Sequence, residues 1–350
     1  MTGANPPGPQ LRHDLPGLDL ARLAGYLDAA VPGLVNGELT GEVIAGGRSN
    51  LTYVVTDGAK RWVLRRPPLG HVLATAHDMS REYRVMGALG PTGFPVPPMV
   101  HLCADPEVLG APFYLMGYVD GEVLRSTDAL ARLGPDGVLS RVLEIVRTLA
   151  DLHRIDPAEV GLAGFGRPDG YNERQVRTWT RQLAASRSRD LPGADELADR
   201  LARTVPATSA AAVVHGDFRV DNVIFAGERI AAVLDWEMST LGDPLADVAL
   251  MLTYATHPAP APDGGPDRAP ADAPGYPDVA TMVAHYAERS GHDVGNLRWY
   301  RAFAAFKLAA ILEGVHYRYT RGLTVGEGFD TIGARVVPLI TRGREILEGD

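Results

Sequence analysis

The stretch from Val213 to Glu237 limits what the chain can fold into more than any other. Two short apolar runs, Val213-Val214 and Val223-Ile224-Phe225, flank the polar loop His215-Gly216-Asp217-Phe218-Arg219-Val220-Asp221-Asn222. A third run, Ile230 to Leu234, ends on Asp235-Trp236-Glu237. Runs this short, rich in Val and Ile and bounded by Gly or charged residues, read as strands. The loop then presents Asp217 and Asn222 together, and Asp235 arrives at the end of the next strand. The set comprises one carboxylate free to act on a substrate and two oxygen ligands for a hard cation.

Composition narrows the partners. The 350 residues leave room for two domains or one bilobal unit, and 45% hydrophobic residues can bury a core. A formal charge of −9 argues against a nucleic-acid partner, whose footprint would be basic; a small or nucleotide-bound substrate is easier to accommodate. Cys103 is the only cysteine, so no internal disulfide can form, and its apolar surroundings read as core. Residues 1–16, rich in Pro and Gly, read as flexible and lack the apolar centre of a signal peptide. No run reaches bilayer length, so the expectation is a cytoplasmic protein with no membrane partner. The sequence carries no signal of oligomeric state.

Along the chain, residues 18–31 and 78–89 have apolar positions at helical spacing, and Glu82 lies on the second of these helices. Residues 42–55 read as strand, Gly-rich turn and strand. Residues 61–66 form a third strand closed by Pro67-Pro68, which cannot continue a ladder. A further strand is read from Val96, and residues 113–121 read as a buried strand and turn. The remainder is mostly helical, at 139–153, 171–186, 191–204, 279–289, 297–321 and 331–347. His153, inside an apolar pattern, reads as packed or capping. Residues 257–277 are dense in Pro, Ala, Asp and Gly and read as a loop that could serve as a lid. In the helix over 297–321, Ala304, Leu308, Ile311, Leu312 and Val315 form a core stripe. Beside it Glu313, Tyr317 and Arg318 read as an exposed or salt-bridged face, with a substrate cleft the alternative.

Phosphoryl transfer from a nucleotide needs a carboxylate at the accepting hydroxyl and oxygen ligands for the Mg²⁺ that bridges the phosphates. An Asp followed five residues later by an Asn has the spacing of a kinase catalytic loop. With His-Gly-Asp in place of His-Arg-Asp, the stretch resembles the aminoglycoside phosphotransferase and choline kinase superfamily. The resemblance extends over five motifs in order, from residue 40 to 320. Val63-Leu64-Arg65-Arg66-Pro67-Pro68 and the run through Ser80-Arg81-Glu82-Tyr83 resemble one branch of it. That branch includes the kinase-like domains fused to some acyl-CoA dehydrogenases and bacterial kinases acting on hydroxyacyl-CoA.

The resemblance implies an α+β, bilobal, protein-kinase-like fold, with a small antiparallel-sheet N-lobe (17–120) and a mostly helical C-lobe (121–350). It implies ATP and Mg as cofactors and a small-molecule acceptor, either a hydroxyacyl-CoA-like metabolite or an aminoglycoside-like compound. Asp217 matches the catalytic base, and Asn222 and Asp235 match the metal ligands. Ser49 and Asn50 would touch phosphates, and Met116 and Tyr118 would line the nucleotide pocket. Asp243 would cap the helix that follows, Asp247 would brace the catalytic loop, and Glu237 could approach the metal. Arg65 stands where the family has a phosphate-binding lysine paired with a helix acid, here Glu82, and Arg66 is the alternative if the register slips by one. A planar guanidinium in place of a compact ammonium is the main departure. It supports a rival reading, a catalytically silent nucleotide-binding module. A protein kinase is disfavoured because no Asp-Phe-Gly or Ala-Pro-Glu segment delimits an activation loop.

Overall fold

Leu51–Thr56 and Arg61–Arg66 carry β-branched and aromatic side chains in succession, and both are strands. With β1 (Thr40–Val43) they are β2 and β3 of a five-stranded antiparallel sheet, completed by β4 (Met99–Cys103) and β5 (Phe113–Gly117) in the order β1-β2-β3-β5-β4. The computed structural model describes residues 14–44, 50–69, 78–208, 210–258, 268–323 and 329–349. Side chains alternate across a strand, so Trp62, Leu64 and Arg66 share one face of β3 while Val63 and Arg65 share the other.

The first face is covered by α1 (Leu20–Ala30), which begins where Asp19 accepts a hydrogen bond from the Arg22 amide at 2.9 Å. Leu20, Leu23 and Leu27 join Tyr53, Val55, Trp62, Leu64, Phe113 and Leu115 in one buried cluster. Each such side chain contributes about 1.5–3 kcal/mol. Helix α2 (Met79–Leu89), capped by Asp78, packs on β4 and β5 and buries Glu82 along with Met79, Val85, Met86 and Leu89. The strand read from Val96 starts only at Met99. Pro97 and Pro98 cannot donate to the ladder, and the Pro98 carbonyl instead accepts from the Gly117 amide at 2.7 Å.

The described residues up to Gly121 form one unit together with Ala231–Glu237. The later segment is tied in by the Val233 amide on the Pro95 carbonyl (2.9 Å) and by Trp236, edge-on to Phe94 at 6.0 Å.

Glu122–Ile230 and Met238–Asp350 form the second unit. Its longer helices are α3 (Gly134–His153), α4 (Tyr171–Ser186), α5 (Ala194–Arg203), α6 (Pro244–Thr256), α7 (Val279–Ser290), α8 (Leu297–Thr320) and α9 (Val336–Glu348). Helix α8 packs against α4, α6 and α9 and buries Trp299, Tyr300, Phe303, Phe306 and Leu308. It is apolar on several sides, as a helix with neighbours on several sides must be. Strand β6 (Ala212–Val214) pairs with β9 (Thr240–Gly242), and β7 (Val223–Ala226) with β8 (Arg229–Val233). The division between the units falls inside β8. β9 carries no local signal of a strand, because three residues are too few to show a period. Residues 259–267 of the Pro-rich loop lie outside the described residues. Among the described residues no helix is long and apolar enough to cross a membrane.

Candidate active site

In the second unit the loop after β6 is shaped by Gly216. At φ +86 it is left-handed, and a Cβ there would lie 2.7 Å from the Met238 carbonyl oxygen, so only glycine fits. Asp247, in the first turn of α6, accepts from the His215 amide at 2.5 Å and the Gly216 amide at 2.8 Å. The start of α6 is fixed by Asp243, whose carboxylate accepts from the Leu245 amide at 3.0 Å and from the Tyr300 hydroxyl at 2.7 Å. Burial opposes the charge on Asp247. The hydrogen bond to His153, the nearby His215 and the Gly216 amide outweigh burial and hold its pKa below the ordinary carboxylate value. His153 is buried between Asp247 (3.4 Å) and the Tyr286 hydroxyl (2.8 Å), and burial depresses its pKa.

Asp217 is half-buried. Asn222 donates to its carbonyl at 2.9 Å and to its carboxylate at 3.0 Å, which leaves the amide oxygen of Asn222 to offer elsewhere. Burial raises the Asp217 pKa, against the pull of Arg219, His215 and the Tyr254 hydroxyl. Arg219 pairs with Asp221 and lies 5.1 Å over the Tyr254 ring. Lys307 of α8 donates to the Gly216 carbonyl at 3.3 Å.

In the first unit, Arg65 on the second face of β3 meets three carboxylates. Its Nε lies 3.2 Å from Glu82, and its Nη2 pairs with Asp235 and lies 3.6 Å from Glu237. Asn50 donates to Glu82 at 3.1 Å and to Glu237 at 3.2 Å, and the Tyr114 hydroxyl donates to Glu82 at 2.9 Å. Burial pushes Glu82 up to about 7; Arg65 and Tyr114 pull it down, while Asp235 and Glu237 push it further up. Burial opposes the charge on Arg65, but Tyr114, Glu82 and Asp235 carry its pKa above the ordinary value. Asp235 has φ +64, the one non-glycine residue at positive φ among the described residues.

Arg65, not Arg66, therefore meets Glu82. Arg66 lies on the other face, where it donates to the carbonyls of Leu109 (2.8 Å) and Gly17. Met116 is buried in β5 opposite Val63. The Tyr118 amide donates to the Arg61 carbonyl at 3.2 Å, and Arg61 lies 4.1 Å over its ring. Ser49 lies outside the described residues. Arg219, Tyr254 and Lys307 were not singled out by sequence. Lys307 had a signal, a lone cation between Phe306 and Leu308 in an apolar helix.

A family model for the phosphotransferase enzyme family matches residues 40–303. The chain belongs to that family. Acyl-CoA dehydrogenase family member 11 of Gallus gallus is 36% identical to this chain over 339 residues, covering 94% of this chain and 43% of that protein. The chain thus spans less than half the length of that relative. A crystal structure of a provisional aminoglycoside phosphotransferase from Ralstonia eutropha is 33% identical, with a TM-score of 0.80 over 94% of this chain and 98% of that one. Choline kinase from Cryptosporidium parvum, at 14% identity, shares the fold alone, with a TM-score of 0.63 over 93% of this chain and 96% of that one. The chain has the protein-kinase-like α+β fold that its catalytic-loop motif implied.

Proposed function

We propose that this phosphotransferase moves the γ-phosphoryl group of ATP to a hydroxyl of a small molecule. The observation that carries the reading is the setting of Asp217, a carboxylate on a loop whose backbone amides are tied to Asp247 and whose own oxygen accepts from Asn222. Asp217 orients the acceptor hydroxyl and takes its proton. Burial brings its pKa toward the working pH, and Arg219, His215 and Tyr254 favour the ionised form.

Asn222 and Asp235 are the proposed oxygen ligands for Mg²⁺. Hard oxygen donors suit that ion, and Asp235 and Glu237 share the Arg65 guanidinium with Glu82, a gathering of carboxylates that suits a divalent cation. When bound, the metal neutralises charge on the nucleotide phosphates. Arg65, oriented by Glu82, takes the place of the phosphate-binding lysine; Ser49 and Asn50 contact phosphates, and Met116 and Tyr118 border the nucleotide base. Likeness to acyl-CoA dehydrogenase family member 11 favours a hydroxyacyl-CoA-like acceptor over an aminoglycoside-like one.

The test is ADP release from Mg·ATP across a panel of hydroxyacyl-CoAs, other hydroxylated metabolites and aminoglycosides. Asp217→Asn should lower turnover by roughly two to four orders of magnitude with Mg·ATP affinity held. Undiminished turnover in that variant removes Asp217 from the reaction. Tight Mg·ATP binding with no ADP release from any acceptor supports the silent nucleotide-binding module, which the lysine's replacement by Arg65 favours.

A further inference from the structure

Lys307, Ile311, Gly314 and Arg318 follow one another along α8 at intervals of four, three and four residues, so they share one face of the helix. Between this face and α4 lies an open cleft of about 430 Å³, lined by Trp179, Gln182, Ile311, Gly314, Tyr317 and Arg318 among others. That volume lies within the usual range of small-molecule sites. At one end of the stripe, Lys307 lies 5.4 Å over the Trp179 ring while its Nζ holds the Gly216 carbonyl, the residue before Asp217. At the other end Arg318 is exposed, with no ion-pair partner among the described residues. Eleven helical residues separate the two ends by about 16 Å.

None of the residues lining the cleft is acidic. Glu313, on the same helix, is fully buried and held by Arg189 at 2.9 Å. Aromatic and aliphatic walls suit an apolar body, and the one charged side chain lining the cleft, Arg318, is cationic. A polycation placed there would meet like charge, whereas a carboxylate or phosphate would find a guanidinium able to bind it through two N–H groups.

We propose that this cleft holds the phosphoryl acceptor, an extended alcohol with an apolar body and an anionic group bound by Arg318, which makes Arg318 a determinant of specificity. The inference rests on the kinase reading above. The hydroxyl lies toward Asp217, and the anion is anchored a cleft's length away.

The experiment titrates the full chain, with Mg·ATP binding measured in parallel, using 10-hydroxydecanoate, 10-hydroxydecanoyl-CoA, methyl 10-hydroxydecanoate and kanamycin. The carboxylate and the CoA phosphates are thereby told apart. At least one anionic alcohol should bind and be phosphorylated. Arg318→Glu should raise its Kd and KM about tenfold or more, and Arg318→Lys should restore most of the loss. kcat should change by less than about threefold. Gly314→Leu should raise KM likewise by filling the cleft; a Cβ at Gly314 meets only the Arg318 Nη1, at 4.0 Å, so the fold tolerates it. The methyl ester should bind equally weakly to wild type and Arg318→Glu.

If neither anionic alcohol binds, if both variants bind them like wild type, or if kanamycin is the preferred acceptor, the cleft assignment is overturned while the kinase reading stands. Failure to bind Mg·ATP refutes the kinase reading, and the inference falls with it.

Discussion

Glu82→Gln should change stability by an amount that depends on pH, because the buried carboxyl holds its proton to about 7 instead of the ordinary 4.5. For an acid whose folded-state pKa is raised, the folded chain binds more protons across that interval than the unfolded chain does. Stability is therefore lost as pH rises from about 4.5 through 7. At about 1.4 kcal/mol per tenfold change, the loss reaches about 3 kcal/mol once pH is well above 7. Glutamine resembles the protonated acid and does not titrate. Its amide oxygen can still accept from Asn50, and Arg65 keeps Asp235 and Glu237 as partners. Urea unfolding of both proteins from about pH 4 to about pH 8.5 gives the assay, with contributions from groups remote from Glu82 cancelling in the difference. The variant should gain about 3 kcal/mol relative to wild type over that range. Parallel stability curves would refute the argument that burial outweighs the pull of Arg65.

Asp235→Ala should abolish Mg-dependent ATP binding and turnover together, and unchanged binding by titration would move the metal site elsewhere. The Asp217 pKa is raised, and a base works only when ionised, so kcat/KM should fall on the acid side at a pH above the ordinary carboxylate value of about 4. Arg219→Met removes the main group that favours the ionised form and should move that limb higher; an unmoved limb would count against the assignment. Asp247→Asn leaves one of two buried amides, His215 or Gly216, without an acceptor and should cost about 1–3 kcal/mol in urea unfolding, with an intact midpoint as the contrary result.

The fold class and family were legible because the most informative residues lie close together in sequence. Val213-Val214, the loop to Asn222 and the run to Asp235 carry strand, turn and acid signals within a few residues of one another. Helices with a strong apolar period were equally plain, and α4 runs over the same residues, Tyr171–Ser186, that its period marks. Alternation on β3 narrowed the phosphate-binding candidate to Arg65 or Arg66. Only the sheet register, with Arg65 opposite Thr52 and Tyr114, shows which of them meets Glu82. What stayed hidden depends on distant chain segments meeting. Asn50 reaches Glu237, and Lys307 reaches the Gly216 carbonyl, through tertiary packing that no local pattern encodes. The three-residue strand β9 was too short to announce itself.

The first unit takes its last segment, Ala231–Glu237, from beyond residues 122–230, which belong to the second. On a ribosome adding about 5–20 residues per second, Glu237 follows Gly121 by on the order of ten seconds. For that time Arg65 and Glu82 exist without Asp235 and Glu237, and Phe94 lacks the edge-on ring of Trp236. A fragment ending at Gly121 would stay in this state permanently, with Arg65 left to Glu82 alone and one side of Phe94 uncovered. The first unit by itself is complete only with residues 231–237 grafted on, and in the intact chain its completion waits for synthesis of residues 122–230.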